Sequence, residues 1–247
     1  MLLSLAVTLS LTVSALAAPH EKRARAQVIS HCTVPNTIAL TFDDGPHVYL
    51  RDIVNILDSN GAKGTFFFNG ENYGCIYSPT NADDIKYTYD HGHQVASHTW
   101  AHKDLTTLTK EQIDYEMLRV EEALTRITGA NPAFMRPPYG NYNDLVLDVS
   151  GLRKQTVVIW DFDTQDSLGA STSKQKSLID GLIHNHPSTV LSLQHEVYES
   201  TAHDVLPYFI QNLKTAGYRM VTLAECIGKN PYQRVVAPSP RNGDWHC

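Results

Sequence analysis

The sequence predicts an α/β fold with parallel strands, arranged as a barrel or a doubly wound sheet. Three observations support this. Seven short apolar runs alternate with longer amphipathic stretches, the order that parallel strands joined by crossover helices require. The 247 residues show one composition regime and no internal repeat. The side chains able to do chemistry fall just after the apolar runs, where barrels and open α/β sheets collect function.

Residues 1–18, MLLSLAVTLSLTVSALAA, are apolar and uncharged and stop at Pro19. Ala15 and Ala17 stand at signal-peptidase spacing, so this segment reads as a secretory signal peptide. It is short for a membrane span, and it lacks a base before the apolar run. Residues 19–31 form a short N-terminal segment in which Lys22-Arg23 offers a processing site. The main domain is expected at 32–228. Strands are expected at 38–42, 64–68, 94–97, 133–136, 156–160, 190–194 and 219–222. The helix at 48–60 is predicted from Leu50, Ile53, Val54 and Leu57 at helical spacing. The helix at 109–128 carries Thr109 as N-cap and stops at Gly129. Others are expected at 82–91, 143–153, 173–185 and 202–216, the last stopped by Gly217. The tail, 229–247, is Pro-rich and polar and reads as irregular.

Hydrophobic content of 42% and charged content of 19% describe a globular chain. The net charge of −6, with no basic patch, argues against nucleic acid and anionic membranes as partners and favours a neutral substrate. Cys32, Cys75, Cys226 and Cys247 are expected to form disulfides after export, but four cysteines allow three pairings and spacing does not choose among them. None lies in a C-x-x-C pair.

In IALTFDDGP an apolar strand ends on Asp43 and Asp44, and Gly45-Pro46 then turns the chain. Side-by-side carboxylates repel unless a cation compensates; the alternative is a solvated turn. In SHTWAHKDL, His98 and His102 are four apart, a spacing that puts two imidazoles on one face of a helical turn. Twelve histidines make such pairs cheap, and His91/His93 and His184/His186 read as surface pairs. Two imidazoles and one carboxylate nevertheless make a three-ligand metal site open to water, with the second aspartate left as a base. FMRPPYGNY offers Arg136, able to grip a carboxylate bidentately, and the Tyr139 backbone N–H, presented by Pro137-Pro138. WDFDTQDS offers Asp161, Asp163 and Asp166. His195, in VLSLQHEVY, reads as a general acid held by a carboxylate, as a further metal ligand, or as a core histidine.

In this order the motifs resemble those of the NodB-type polysaccharide deacetylases, carbohydrate esterase family 4, across about residues 32–228. TFDDGP looks like the first motif, HTWAH the second, RPPYG the third, DTQD the fourth and LQH the fifth. Secreted fungal chitin deacetylases are the members it most resembles. The resemblance implies a NodB homology domain, a distorted (β/α) barrel of about seven strands. It implies Asp43 as general base and Asp44, His98 and His102 as ligands to zinc, with cobalt able to substitute. It implies Arg136 as the residue orienting Asp43, the Tyr139 N–H as oxyanion donor, and His195 as general acid held by Asp166. Leu193, Tyr139 and Trp160 would contact substrate. It implies a Cys32–Cys226 disulfide, which leaves Cys75–Cys247 as the remaining pair. The implied protein is a secreted monomer removing N-acetyl groups from chitin or chitooligosaccharides. Acetylxylan or peptidoglycan is the alternative substrate, and a non-catalytic sugar-binding protein the alternative function. The sequence departs from the family pattern at Ser167, where an aromatic residue is common, and at Glu196, where aspartate is usual.

Overall fold

A computed structural model of the protein describes residues 25–247. The signal peptide expected at 1–18 and the Lys22-Arg23 site lie outside the described residues. The elements run β1 (Val28–Ile29), β2 (Thr37–Asp43), α1 (Leu50–Ser59), β3 (Gly64–Phe68), α2 (Pro79–Asp90) and β4 (Gln94–Ser97). Then come α3 (Lys110–Thr128), β5 (Ala130–Pro132), β6 (Phe134–Met135), α4 (Asp144–Leu152), β7 (Thr156–Val158) and β8 (Phe162–Asp163). The chain ends with α5 (Thr172–Asn185), β9 (Thr189–His195), α6 (Leu206–Thr215), β10 (Arg219–Met220), α7 (Leu223–Cys226) and β11 (Tyr232–Val235).

The main sheet has nine strands, all paired in parallel, ordered β1-β7-β6-β4-β3-β2-β9-β8, with β10 beside the start of β2. It curls into a half-barrel covered by helices. All seven residues of β2 are buried, as a strand flanked on both edges and both faces requires. α1 docks Leu50, Ile53, Val54 and Leu57 against it, each fully buried and each contributing about 1.5–3 kcal/mol of apolar burial. α3 opens on a Thr109–Gln112 capping box and closes at Gly129, whose φ of 83° is left-handed.

Several elements differ from expectation. The sheet has nine strands rather than about seven, because two-residue ladders such as β1 and β8 are too short to carry an apolar pattern. β1 places the start of the sheet before residue 32. The strands expected at 133–136 and 156–160 shorten to β6 and β7, and the helix expected at 202–216 begins with a π turn at Thr201–Val205. The tail is not irregular throughout. β11 pairs antiparallel with β5, and Cys247 is bonded to Cys75. The second disulfide joins Cys32 to Cys226, tying the two ends of the sheet domain together.

Candidate active site

The carboxyl ends of β2, β4, β6 and β9 open into one cleft of about 360 Å³. Asp43, Asp44, His98, His102, Tyr139, Trp160, Leu193 and His195 all line it. Arg136 and Asp166 lie behind this lining. A groove of about 540 Å³ is larger, but it sits at the amino ends of β3 and β4 around His93 and Gln94, away from these groups.

Alternation along a strand should point Asp43 and Asp44 to opposite faces. It does not, because Asp44 adopts φ 74° and turns its side chain back to the same opening. The 98–102 segment is not the helical turn that the four-residue spacing implies. It is an irregular loop in which Thr99 and His102 have φ values of 70° and 52°. The two imidazoles still meet, ring centroids 4.9 Å apart. His98 Nδ1 lies 2.8 Å from the Arg136 carbonyl, which directs Nε2 into the cleft. Asp44 Oδ1 is 3.5 Å from His98 Nε2 and 3.2 Å from His102 Nε2. Burial opposes ionisation of Asp44, but His102 and His98 outweigh it and hold the carboxyl well below the usual range.

Arg136 is completely buried. Its Nη1 donates to Asp43 Oδ1 at 2.8 Å and to Thr41 Oγ1 at 2.7 Å, while Nη2 reaches the Ile159 carbonyl at 3.3 Å. The grip on Asp43 is therefore single rather than bidentate. Thr41 takes the second Nη1 donor and Ile159 one from Nη2, Nε has no partner, and Asp43 Oδ2 stays on the cleft side, 3.8 Å from His98 Nε2. Burial lowers the Arg136 pKa, and Asp43 counteracts that effect.

On the opposite wall His195 Nδ1 is 2.7 Å from Asp166 Oδ1. Asp166 Oδ2 accepts from the His195 backbone N–H at 2.8 Å and from Thr201 Oγ1 at 2.9 Å. Burial alone would favour the neutral ring, but Asp166, with help from Asp43 and Asp44, pushes the His195 pKa up to about 9. Asp161 turns away, accepting from the Leu191 N–H at 2.7 Å, and Asp163 accepts from Gln165 N–H at 2.6 Å. Tyr139 has φ 61°, and its exposed ring stands edge-on to His102 at 4.8 Å. Trp160 packs on Gly140, where any side chain would meet the indole within 2.9 Å. Ser167 and the exposed Leu168 form the rim.

The sequence reading missed Thr41 and Thr201, whose partners lie 95 and 35 residues away. It noticed Glu196 only as a departure. Glu196 is fully buried, its Oε1 accepts from the His47 N–H at 2.8 Å, and burial pushes its pKa well up.

A divalent ion fits the donor set. Among the described residues, Asp44, His98 and His102 offer ligand atoms within 4.8 Å of one another. Asp44 Oδ1 is buried without a hydrogen-bond partner, a costly state for a carboxylate oxygen unless a cation takes its lone pairs.

Known proteins show the same arrangement of chain. The family model for polysaccharide deacetylase matches residues 30–157. A chitin deacetylase from Pestalotiopsis sp is 40% identical over 208 residues, covering 81% of this chain and 67% of the relative. A chitin deacetylase from Arthroderma benhamiae is 36% identical over 81% of this chain, which spans only 54% of that protein's length. The solved structure of the chitin deacetylase from Colletotrichum lindemuthianum superposes with a TM-score of 0.79 at 32% identity, over 84% of this chain and 94% of that one. With a family model matched over more than half of its length, a relative 40% identical and the half-barrel of a solved chitin deacetylase in common, the chain belongs to the polysaccharide deacetylase family.

Proposed function

We propose that the protein is a metal-dependent hydrolase that removes N-acetyl groups from chitin or chitooligosaccharides. Chitin deacetylases among the relatives support the substrate class. The observation that carries the chemistry is the pairing, across one cleft, of the Asp43 carboxylate oxygen that faces it with the His195 ring that Asp166 holds.

Asp44, His98 and His102 would hold the ion, zinc by the nature of its N and O donors, with cobalt as substitute; bound there, it supplies Lewis-acid polarisation of the amide carbonyl and activation of water. The chain's own groups do the rest. Asp43, kept in place by Arg136, accepts a proton from the attacking water through Oδ2. The Tyr139 N–H, at a left-handed residue beside His102, donates to the oxyanion. His195 Nε2 then gives its proton to the departing nitrogen, and Asp166 stabilises the charge that the ring carries before transfer. A protonated acid matters here because an amine anion is a very poor leaving group. Leu193, nearly buried at the cleft floor, faces the acetyl methyl, and Trp160 offers a ring face to the sugar.

Secretion fits this reading. Two disulfides suit an oxidising compartment, and among the described residues no helix is long and apolar enough to cross a membrane. The protein would act as a monomer on a neutral polymer, without nucleic acid or membrane as partner.

The test is acetate release from defined chitin oligomers, acetylxylan and peptidoglycan by the zinc-loaded and the chelated protein. Release from chitin oligomers alone, abolished by chelation and restored by zinc or cobalt, is the expected result. Preference for acetylxylan or peptidoglycan would move the substrate. Sugar binding without any release would leave a binding protein.

A further inference from the structure

Two imidazoles can share one ion only if the chain between them holds still, and that chain has no regular structure of its own. Residues 98–102 form neither helix nor strand, and Thr99 and His102 are both left-handed. Such residues cost about 1–3 kcal/mol each and persist only where the surroundings over-determine them. The surroundings do so from two sides. On the first, Asn69 Nδ2 donates to the His98 and Thr99 carbonyls at 2.6 and 3.0 Å. The Gly70 and Glu71 N–H groups reach the Trp100 carbonyl at 3.0 and 2.7 Å.

On the second side stands α3. Its core-facing stripe holds Ile113, Glu116, Met117 and Val120, all buried. A carboxylate in that stripe is costly, and a leucine would serve packing better. Glu116 is only 2% exposed, yet both oxygens are engaged. Oε2 accepts from the Ala101 backbone N–H at 2.7 Å, and Oε1 pairs with Lys103 Nζ at 3.0 Å. One turn along, the Arg119 guanidinium lies 3.5 Å from the centre of a Trp100 ring. α3 therefore fastens residues 100, 101 and 103 and leaves only the ring of His102 facing the cleft.

We infer that Glu116 is a positioning residue for the ion site: its hydrogen bond to the Ala101 N–H sets the aim of His102. This rests on the metal-dependent reading above. A rival account makes Glu116 a fastening for the fold alone, acting through its charge on Lys103. The two accounts differ in which property of the side chain matters. Aim needs an acceptor at the right reach, whereas an ion pair needs the charge.

Two variants separate these properties. Glu116→Gln keeps length and acceptor and drops the charge. Glu116→Asp keeps the charge and withdraws the acceptor by one carbon–carbon bond, about 1.5 Å. The wild type and both variants are stripped of metal and titrated with Co²⁺, read by visible absorption, with Zn²⁺ in competition and the melting temperature of the metal-free forms alongside. Glu116→Gln is expected within about threefold of wild-type affinity. Glu116→Asp is expected to bind about 10- to 100-fold more weakly, the loss typical of a displaced ligand support, at a metal-free melting temperature close to the wild type. Wild-type affinity in Glu116→Asp overturns the inference, and so does a Glu116→Gln variant as weak as Glu116→Asp. A variant of either kind that does not fold also overturns it, by placing the carboxylate in service of the fold. A wild-type protein that takes up no Co²⁺ refutes the metal reading itself, before any variant is compared.

Discussion

Replacing Asp166 with asparagine should uncouple His195 from the charge that keeps it protonated. Burial works against the imidazolium, while Asp166, by hydrogen bond and charge, lifts the pKa from 6.5 to about 9. At 1.36 kcal/mol per pH unit, that gap corresponds to about 3 kcal/mol in favour of the charged ring. The folded value lies above the unfolded one, so this stabilisation is complete below pH 6.5 and is lost as pH rises through about 9. The asparagine keeps the size of the side chain and one of its two accepting oxygens, sets an NH2 in place of the other, and carries no charge. Asp43 and Asp44 still favour the charged ring, but with the Asp166 charge gone burial draws its pKa down from about 9. Acetate release by the wild type should hold through neutral pH and decline near pH 9. In Asp166→Asn the alkaline limb should move to lower pH than in the wild type, and kcat at pH 8 should fall by about 10- to 10²-fold, toward the range of a lost general acid. A pH–rate profile on a defined chitin oligomer reads the limb, and NMR titration of the His195 ring reads the group directly. A His195 resonance titrating at the same pH in both proteins would refute the reasoning.

Asp43→Asn should retain bound zinc, measured by elemental analysis, while kcat drops by about 10²- to 10⁴-fold; turnover near the wild-type rate removes Asp43 from the base role. Arg136→Met should leave Asp43 buried without its cation, costing about 3–5 kcal/mol in urea unfolding, and a loss below 1 kcal/mol would show the pair to be dispensable for the fold. Gly45→Ala should destabilise by about 1–3 kcal/mol, because a Cβ there falls 2.1 Å from the Glu196 carboxyl carbon. Shortening Glu196 to alanine in the same chain should recover part of that loss, and strictly additive losses would count against the contact.

The strands that build the cleft were legible because they bury both faces. TIALTFD and GTFFF read as continuous apolar runs, and reactive side chains at their ends stand out against them. What the sequence hid falls into two physical kinds. Backbone conformation is one: four-residue spacing reads as a helical turn, and nothing in SHTWAH announces left-handed Thr99 and His102. Long-range satisfaction of buried polar groups is the other. Thr41, Thr201 and Glu116 look like ordinary strand, loop and helix residues until folding brings Arg136, Asp166 and Ala101 against them. The tail belongs to the same class. Its prolines suggest irregular chain, while its order comes from partners in β5 and from Cys75.

Among the described residues, eight non-glycine residues adopt left-handed backbone, and Asp44, Thr99, His102, Tyr139 and Gln165 are all at or beside the cleft. The molecule thus concentrates conformational tension where turnover occurs, which sets heat tolerance against catalytic competence. Glycine at those five places would relax the chain and erase what those side chains contribute. Lys154, exposed and left-handed at φ 57° but remote from the cleft, is where an engineer seeking a hardier catalyst should begin: Lys154→Gly ought to raise the melting point and leave acetate release alone.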